Sequence, residues 1–347
     1  MVNLSRGLAD RGHAVDLVLL SATGPFLSEV GPNVRLVDLQ ARRAVSGLPA
    51  LVRYIRRERP DSMLSRIHYA NVTAIVARRI ARVRFRLLVL EDNTLTQFFQ
   101  PTRTMKFRVL LRLMRWTYRW ADLVLAVSRE AAEDLEQNRI APPQSVQVVD
   151  NPILTPEVYK QMREKPDHPW YHPKRQAILI GVGSLTEQKD FFTLIRAIKR
   201  VRDNRDCRLI ILGEGCQRAE LELLVKSLEL QGQVDMPGFV ENPHAYFAAS
   251  DAFVLSSRWE GFGMVLIEAL AAGIPIVSTD CPGRPFELLG GGKYGRLVPV
   301  GDESRMADAI QDALRDPIDK EALREGARGY DLCSVTEQYH NLLLRDL

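Results

Sequence analysis

The amino-acid sequence predicts an α/β protein built from two doubly wound domains. Apolar strand-like runs alternate with longer segments of helical period almost throughout the chain, and a polar stretch rich in Pro and His at 151–175 divides them into two blocks. Strands that alternate with helices imply parallel sheets with helices on both faces. The 347 residues are enough for two domains of ordinary size, each with a buried core.

Each block contains a series of predicted strands. The first block has apolar runs at Ala14–Leu20, Val34–Leu39, Leu87–Leu90, Leu123–Val127 and Val146–Val149, with helix-period segments at Leu48–Arg59, Ala70–Ile80 and Phe107–Trp120. The second block has apolar runs at Ala177–Val182, Arg208–Leu212, Gln233–Met236, Ala252–Leu255 and Ile274–Ser278. We assign residues 1–165 to the first domain and 166–347 to the second, and the last helix, Val335–Leu344, could pack on either. A ligand site is expected in a cleft faced by the carboxyl ends of the strands.

The start of the chain departs from this pattern. Met1–Arg11 predicts a helix, which is followed by a turn at Gly12 and His13 and then by a strand. A doubly wound domain normally begins with a strand and a glycine-rich turn before its first helix. Here neither comes before the helix at the start of the sequence. The opening also lacks the apolar centre of a secretory signal.

Composition narrows the class of partner. Residues 1–150 carry 23 Lys and Arg against 14 Asp and Glu, a net charge of +9, which leaves −5 for the remainder. A basic half suits a phosphorylated lipid, a membrane surface or nucleic acid, or it is an inert surface. Nucleic acid is disfavoured, because no nucleic-acid-binding motif is present. The scattered cysteines have no metal-ligand spacing and indicate a reduced, cytoplasmic protein without structural zinc.

The segment FVLSSRWEGFGMVLIEALAAGIP at Phe253–Pro275 joins an apolar strand to an apolar helix through a glycine-containing loop. Glycines let the backbone approach a ligand closely, and the start of a helix offers free N–H groups to a phosphate. Glu268 is the single carboxylate of that helix, so it needs a partner, which a ribose diol or an internal Arg or Lys could provide. Glu260 in the loop could bind sugar hydroxyls or could be a solvated acid.

Three further loops follow strands of the second block, and each is weak evidence by itself. ILIGVGSLTEQKDFF brings Gly183, Ser184 and Lys189 to the end of a strand, where they suit a diphosphate whose growing charge Lys189 would neutralise, although Lys189 could also be a surface residue. In LGEGCQR, Arg218 could reach a phosphate. In PGFV, the backbone around Phe239 could hold a base.

Taken together, these segments resemble glycosyltransferase family 4, the group-1 glycosyltransferases. The resemblance rests on GVGSLTEQKDFFTLIRA, LIILGEGCQRAEL, MPGFVENPHAYFAASDAFVLSSRWEGFGMVLIEALAAGIPIVSTDCPG and GKYGRLVPVGD, and the E-x7-E element from Glu260 to Glu268 is its central signature. The first half is also similar at ADLVLAVSREAAEDL and at Asn151-Pro152. The family has the GT-B fold, in which two Rossmann-like domains face a cleft, and it retains the anomeric configuration.

The resemblance implies transfer of a hexose or N-acetylhexosamine from a nucleotide-diphosphate sugar to a glycan or lipid-linked acceptor, as in cell-envelope polysaccharide synthesis. It implies that Glu268 binds the donor ribose, Glu260 the transferred sugar and Lys189 the diphosphate, with no metal and no other cofactor. Glu260 and Lys189 would be the catalytic residues. The implied donor-binding residues are Gly183, Ser184, Lys189, Arg218, Gly238, Phe239, Val240, Glu260, Gly261, Phe262, Gly263, Met264 and Glu268.

Three departures from the family matter for function. Family members begin with a strand and a Gly-rich loop before the helix that Met1–Arg11 resembles, so the resemblance implies that the chain is cut at its N terminus and is less stable and less active than an extended form. Members often have Arg where Ser184 stands, so Arg218 or Arg258 could substitute for that charge. Many carry a His near the transferred sugar, where this chain has Asp92, and His68 could take that acceptor-side role or could be structural. An inactive or truncated nucleotide-sugar-binding protein and a GT-B sugar-nucleotide epimerase therefore stay open as alternatives.

Arginines recur at helical spacing in the first block and form one stripe on a predicted helix, at Arg108, Arg112, Arg115 and Arg119. Trp116 and Trp120 flank the stripe. A basic, aromatic-edged helix can lie on an anionic membrane surface, where each Lys or Arg contributes about 1 kcal/mol. A solvated outer face would show the same pattern. We expect weak peripheral contact with the inner face of the membrane.

Overall fold

A computed structural model of the chain describes residues 1–92, 94–98, 105–203 and 205–344. Two units are present: Met1–Pro152 with Tyr330–Leu347, and Ile153–Gly329. The boundary thus lies at Pro152, earlier than the expected residue 165, because the short helix Pro156–Gln161 packs on the second unit. The backbone carbonyl of Gln161 there accepts a hydrogen bond from Asn242 Nδ2 at 3.2 Å.

Strands and helices alternate in both units. The strands are β1 Val15–Leu19, β2 Val34–Asp38, β3 Ser62–Arg66, β4 Arg86–Glu91, β5 Leu123–Ala126, β6 Val146–Val148, β7 Ala177–Val182, β8 Cys207–Leu212, β9 Val234–Gly238, β10 Ala252–Leu255, β11 Ile276–Thr279 and β12 Arg296–Val298. The helices are α1 Val2–Asp10, α2 Ala44–Glu58, α3 His68–Ala81, α4 Leu95–Phe98, α5 Met105–Thr117, α6 Arg129–Gln137, α7 Pro156–Gln161, α8 Phe191–Arg202, α9 Arg218–Ser227, α10 Pro243–Ala249, α11 Met264–Ala272, α12 Pro285–Leu288, α13 Glu303–Arg315, α14 Lys320–Gly326 and α15 Leu332–Leu344.

The first unit contains a parallel pair, β1 and β2, and a parallel sheet in the order β3-β4-β5-β6. Strand β4 is apolar along Leu87–Leu90 and fully buried there, because helices cover both faces of a parallel sheet. Ile75 of α3 and Met114 of α5 pack in the same core. Strand β3 was not predicted, because Ser62 and Ser65 interrupt its apolar pattern.

The last helix belongs to the first unit. Helix α15 lies against α1, where a side-chain carbon added to Gly7 would stand 2.2 Å from Thr336 Oγ1, so glycine permits this close approach. Arg11, which directly follows α1, donates hydrogen bonds to Cys333 O at 3.1 Å and to the Glu337 carboxylate at 2.9 Å. Within the described residues, none of the helices combines the length and the apolar composition of a bilayer-spanning segment.

The second unit is built on one parallel sheet in the order β12-β11-β10-β7-β8-β9. From β7 the chain first moves outward through β8 to β9, and then returns to β10 and moves outward on the other side. The direction of winding therefore reverses between the neighbouring strands β7 and β10. In open α/β sheets ligands bind outside the carboxyl ends of the strands at such a switch point.

Candidate active site

The loops that follow β7 and β10 are joined at this switch point. Ser256 Oγ donates a hydrogen bond to Lys189 O at 2.7 Å, and the Arg258 amide donates to Gln188 O at 2.7 Å. The Gln188 side chain returns a bond to Trp259 O at 3.0 Å. These bonds make the two loops one structural piece, so side chains that are 71 residues apart in sequence come into contact.

An ion pair lies at the centre of this piece. Lys189 Nζ donates to Glu260 Oε1 at 2.6 Å, and the side chains are 14% and 7% exposed. The Ser257 hydroxyl donates to the same carboxylate oxygen at 2.5 Å. Thr279 in turn donates to Ser257 O at 2.6 Å. The two side chains predicted to act on a donor sugar and its diphosphate are therefore in direct contact and fixed by hydroxyl groups.

The loop after Glu260 leads into α11. Gly263 at the start of that helix is left-handed, with φ 80°. The Phe262 ring is buried under the Arg284 guanidinium, whose central carbon lies 4.8 Å from the ring centre. Gly261 is half-buried and Met264 is exposed. The sequence analysis did not identify Arg284, since it follows a different strand and no charge pattern marks it.

Glu268 has a histidine as its neighbour. His244 Nε2 lies 3.6 Å from Glu268 Oε1, and the two side chains are 13% and 19% exposed. His244 Nδ1 is hydrogen-bonded to Gln161 Oε1 at 2.8 Å. The sequence analysis expected a ribose or an internal Arg or Lys beside Glu268 and missed the imidazole. The carboxylate is thus accessible in part and has no fixed Arg or Lys partner in the described residues.

The proposed substitutes for a missing diphosphate charge are engaged by neighbouring carboxylates. Arg218 donates to Glu214 at 2.5 and 2.8 Å and to Glu222 at 3.1 Å. The bonds from Arg218 hold the pKa of Glu214 below its usual range. Arg258 lies 3.2 Å from Asp190. The structure therefore gives both arginines local partners instead of a free charge at the end of β7.

The other glycine loops lie side by side at the same sheet edge. Gly183 N donates to Leu212 O at 3.0 Å, and Gly213 N donates to Gly238 O at 2.9 Å. A side-chain carbon on Gly213, whose φ is 140°, would stand 2.0 Å from Gly183 O. Ser184 is exposed in the first of these loops. Beyond Gly238, Phe239 is 75% exposed and Val240 is half-buried.

The acceptor-side candidates lie in the first unit, at the carboxyl ends of β3 and β4. Asp92 is paired with Arg66, whose Nε donates to it at 2.7 Å. His68 is buried, with Nδ1 3.7 Å from the carboxylate of Glu91. Burial and that carboxylate raise the pKa of Tyr118, which also donates to Glu91, well above its usual value. A role of His68 and Asp92 toward an acceptor stays a prediction.

Comparison with known proteins shows the family to which the chain belongs. The family profile described as "Glycosyl transferases group 1" matches residues 162–330, and the profile "Glycosyltransferase Family 4" matches residues 1–155. The N-acetylgalactosamine-N,N'-diacetylbacillosaminyl-diphospho-undecaprenol 4-alpha-N-acetylgalactosaminyltransferase of Campylobacter jejuni is 32% identical over 260 residues, which are 74% of this chain and 68% of that protein. The N-acetyl-alpha-D-glucosaminyl L-malate synthase of Bacillus anthracis is 25% identical over 351 residues, 97% of this chain and 88% of that protein.

Solved structures show the fold. Anabaena HepE in complex with UDP superposes with a TM-score of 0.77 at 20% identity, over 99% of this chain and 94% of HepE. Two Rossmann-like units with glycine loops at a sheet switch point are those of a GT-B glycosyltransferase, as the fold comparison confirms. The chain belongs to glycosyltransferase family 4, the group-1 glycosyltransferases. It is a transferase that takes its sugar from a nucleotide-sugar donor.

Proposed function

We propose that this chain transfers a hexose or N-acetylhexosamine to a glycan or lipid-linked acceptor, with retention of configuration and without a divalent cation. The observation that carries the proposal is the contact between Lys189 and Glu260 at the switch point of the second unit. The name of the Campylobacter relative includes a diphospho-undecaprenol acceptor, which supports a lipid-linked acceptor here. Other relatives are lipopolysaccharide core glycosyltransferases.

Donor binding exchanges the partners of this ion pair. A diphosphate attracts the Lys189 ammonium more strongly than a single carboxylate does, because it carries more charge. Glu260 then loses its ammonium partner and accepts hydrogen bonds from hydroxyls of the sugar, while Ser257 keeps the carboxylate in place. The lysine replaces the divalent cation as the group that neutralises the leaving diphosphate.

We propose that the transfer step takes place on one face of the sugar ring. The acceptor hydroxyl oxygen forms a bond to the anomeric carbon as the bond from that carbon to the β-phosphate oxygen breaks. The hydroxyl proton passes to the departing β-phosphate. The new bond therefore forms on the face of the sugar from which the old bond breaks, and the configuration at the anomeric carbon is retained. Lys189 stabilises the charge that develops on the leaving group, a contribution that such fixed charges make mainly in the transition state.

The first test is donor binding. Thermal unfolding is measured with UDP-, GDP- and ADP-sugars for the native chain, Glu268→Ala and the matched control Glu220→Ala, an exposed glutamate of α9. We expect one nucleotide class to raise the midpoint in the native chain and control and not in Glu268→Ala. A shift that persists in Glu268→Ala would contradict the assigned ribose contact.

The second test is turnover with the donor that binds. Products formed with and without octyl glycoside acceptors are followed by NMR, in EDTA and in Mg²⁺. We expect an α-linked product from an α-linked donor, at equal rates in both buffers. Release or rearrangement of the sugar without any acceptor would favour the epimerase, and binding without turnover would favour a non-catalytic protein.

We also propose that α5 makes contact with an anionic membrane. All four arginines of the stripe are exposed, and Arg115 also donates to Asn138 O at 2.6 Å. The helix also exposes an apolar row, of which the sequence analysis identified only Trp116. Its members are Met105 at 71%, Val109 at 55%, Leu113 at 38% and Trp116 at 52%. Exposed apolar side chains beside arginines suit the interface of a bilayer that carries negative charge.

Flotation with phosphatidylglycerol vesicles tests this surface. At about 1 kcal/mol for each arginine, Arg108→Gln/Arg112→Gln should weaken partitioning about thirtyfold at low salt. Lys226→Gln/Arg305→Gln, which neutralises two exposed cations of the second unit, should leave it unchanged. Equal binding by both double variants would refute the role of α5.

A further inference from the structure

The proposed reaction assigns no role to His244, which lies beside Glu268. It lies in the first turn of α10, at the same sheet edge as the donor loops, and its Nε2 faces the carboxylate of Glu268 at 3.6 Å. We propose that His244 is a positioning residue that orients Glu268 toward the donor ribose and so sets the preference for ribonucleotides over 2′-deoxyribonucleotides. The inference rests on the proposed function, in which Glu268 binds the ribose.

The His244 ring is fixed by a hydrogen bond on the side away from Glu268. Its Nδ1 is hydrogen-bonded to Gln161 Oε1 at 2.8 Å. Gln161 is itself tied to the start of α10, since its backbone carbonyl accepts from Asn242 Nδ2 at 3.2 Å. Asn242 also caps that helix, where its Oδ1 accepts from Ala245 N at 3.1 Å. The ring is only 13% exposed, so these contacts fix both its position and the direction of Nε2.

The second ring nitrogen of His244, Nε2, can form a hydrogen bond with Glu268. His244 Nε2 is buried and makes no hydrogen bond within the described residues. A separation of 3.6 Å from Glu268 is too long for a normal hydrogen bond, and a small shift of the side chain would close it. Among the described residues no donor lies within hydrogen-bonding distance of the Glu268 carboxylate, and the other side chains of its helix are apolar. In the protonated imidazole both nitrogens donate, Nδ1 to the Gln161 oxygen and Nε2 toward Glu268, so this ring is the polar group among the described residues that is placed to hold one carboxylate oxygen.

Holding one oxygen determines what the other can do. A carboxylate has two oxygens, and a ribose offers two neighbouring hydroxyl donors. With one oxygen directed toward His244, the geometry of the other toward the ribose is defined, instead of varying with rotation of the side chain. A site arranged for a hydroxyl rejects an analogue that lacks it, because the buried acceptor is then left unpaired.

The test compares each ribonucleoside diphosphate with its 2′-deoxy form by calorimetry, using the base that the thermal-shift panel selects. A hydrogen bond to a charged group corresponds to a preference of roughly ten- to hundredfold in the native chain. We expect His244→Leu to reduce the preference to below about threefold mainly by weakening the ribonucleotide, and His244→Gln, which keeps a donor group, to restore most of it. His172→Leu, a matched histidine of the same unit, should keep the native preference.

The outcomes separate the inference from the proposed function. If Glu268→Ala keeps the native preference, the ribose contact itself is wrong. If Glu268→Ala loses the preference and His244→Leu keeps it, only the positioning role is overturned, and equal weakening of both nucleotides by His244→Leu overturns it as well. Gln161→Leu keeps the imidazole but removes the hydrogen bond at its Nδ1, so it should lower the preference severalfold. This variant tests the positioning role if His244→Leu does not fold.

Discussion

Replacement of Lys189 by methionine would leave a buried carboxylate without its cation. Glu260 is 7% exposed, and its remaining hydrogen bond in the described structure is from the Ser257 hydroxyl at 2.5 Å. Removal of one partner from a buried ion pair costs about 3–5 kcal/mol, because the other charge stays desolvated. Since the Lys189 side chain is 14% exposed, we expect the lower end of that range, about 3 kcal/mol. For a domain of this size, that lowers the unfolding midpoint by about 6–12 °C.

The assay is thermal unfolding of the native chain, Lys189→Met and Lys189→Met/Glu260→Gln, each with and without donor. The double variant removes the uncompensated charge, so we expect it to regain about 2 kcal/mol while nucleotide-sugar affinity stays lost. Lys226→Met, on the exposed face of α9, is the control and should unfold as the native chain does. A loss below about 1 kcal/mol for Lys189→Met, or a double variant no more stable than the single one, would refute the reasoning.

Three further predictions follow from local geometry. Gly213→Ala should unfold the second unit at lower temperature and abolish donor binding, because the new carbon would lie 2.0 Å from Gly183 O; calorimetry that shows native values would contradict this. Burial raises the thiol pKa of Cys207 to about 11 and of Cys281 to about 12. Ellman's reagent at pH 8 should therefore react quickly with the exposed thiols of Cys216 and Cys333, and with Cys207 and Cys281 only after unfolding. The hydrogen bond from Arg35 lowers the pKa of Asp16 below 3.8, so the ionised carboxylate stabilises the fold above that pH, and this contribution is lost as pH falls through the folded-state pKa. In denaturant titrations, Asp16→Asn should therefore make the free energy of unfolding depend less on pH in the acid range.

Much of the fold could be predicted from the sequence because the strands of the second unit are buried on both faces. Ala177–Val182 and Ala252–Leu255 are continuous apolar runs, and the structure has strands at those residues. Strand β3 escaped prediction because Ser62, Ser65 and Arg66 leave no apolar run. Its pairing with the buried strand β4 holds it in the sheet, which is a tertiary effect that local pattern does not contain.

The candidate site was predictable in its parts and not in its contacts. Glycine loops after strands mark where ligands could approach, but the pairing of Lys189 with Glu260 depends on β7 and β10 being neighbours in the sheet. His244 lies in an ordinary helix start, and nothing in the sequence relates it to Glu268. The engagement of Arg218 did have a signal, since Glu214 and Glu222 stand four residues away on either side of it.

Helix α5 shows the limit of reading one face at a time. The buried positions of the helix and the turn after it, Leu110, Met114 and Tyr118, recur at the helical spacing of a core-facing side. The exposed positions Met105, Val109 and Leu113 were assigned to neither side, because the sequence analysis followed the arginine stripe. Only the structure shows that Met105 and Val109 lie outside the core.

The docking of α15 on α1 makes the first unit discontinuous in sequence, whereas the second is one uninterrupted stretch, Ile153–Gly329. The second unit therefore contains in one stretch all the chain that packs in it, whereas the first depends on a helix separated from its other residues by the whole length of the second. A stop codon that removed Tyr330–Leu347 would accordingly damage the half of the protein made first and spare the half made last.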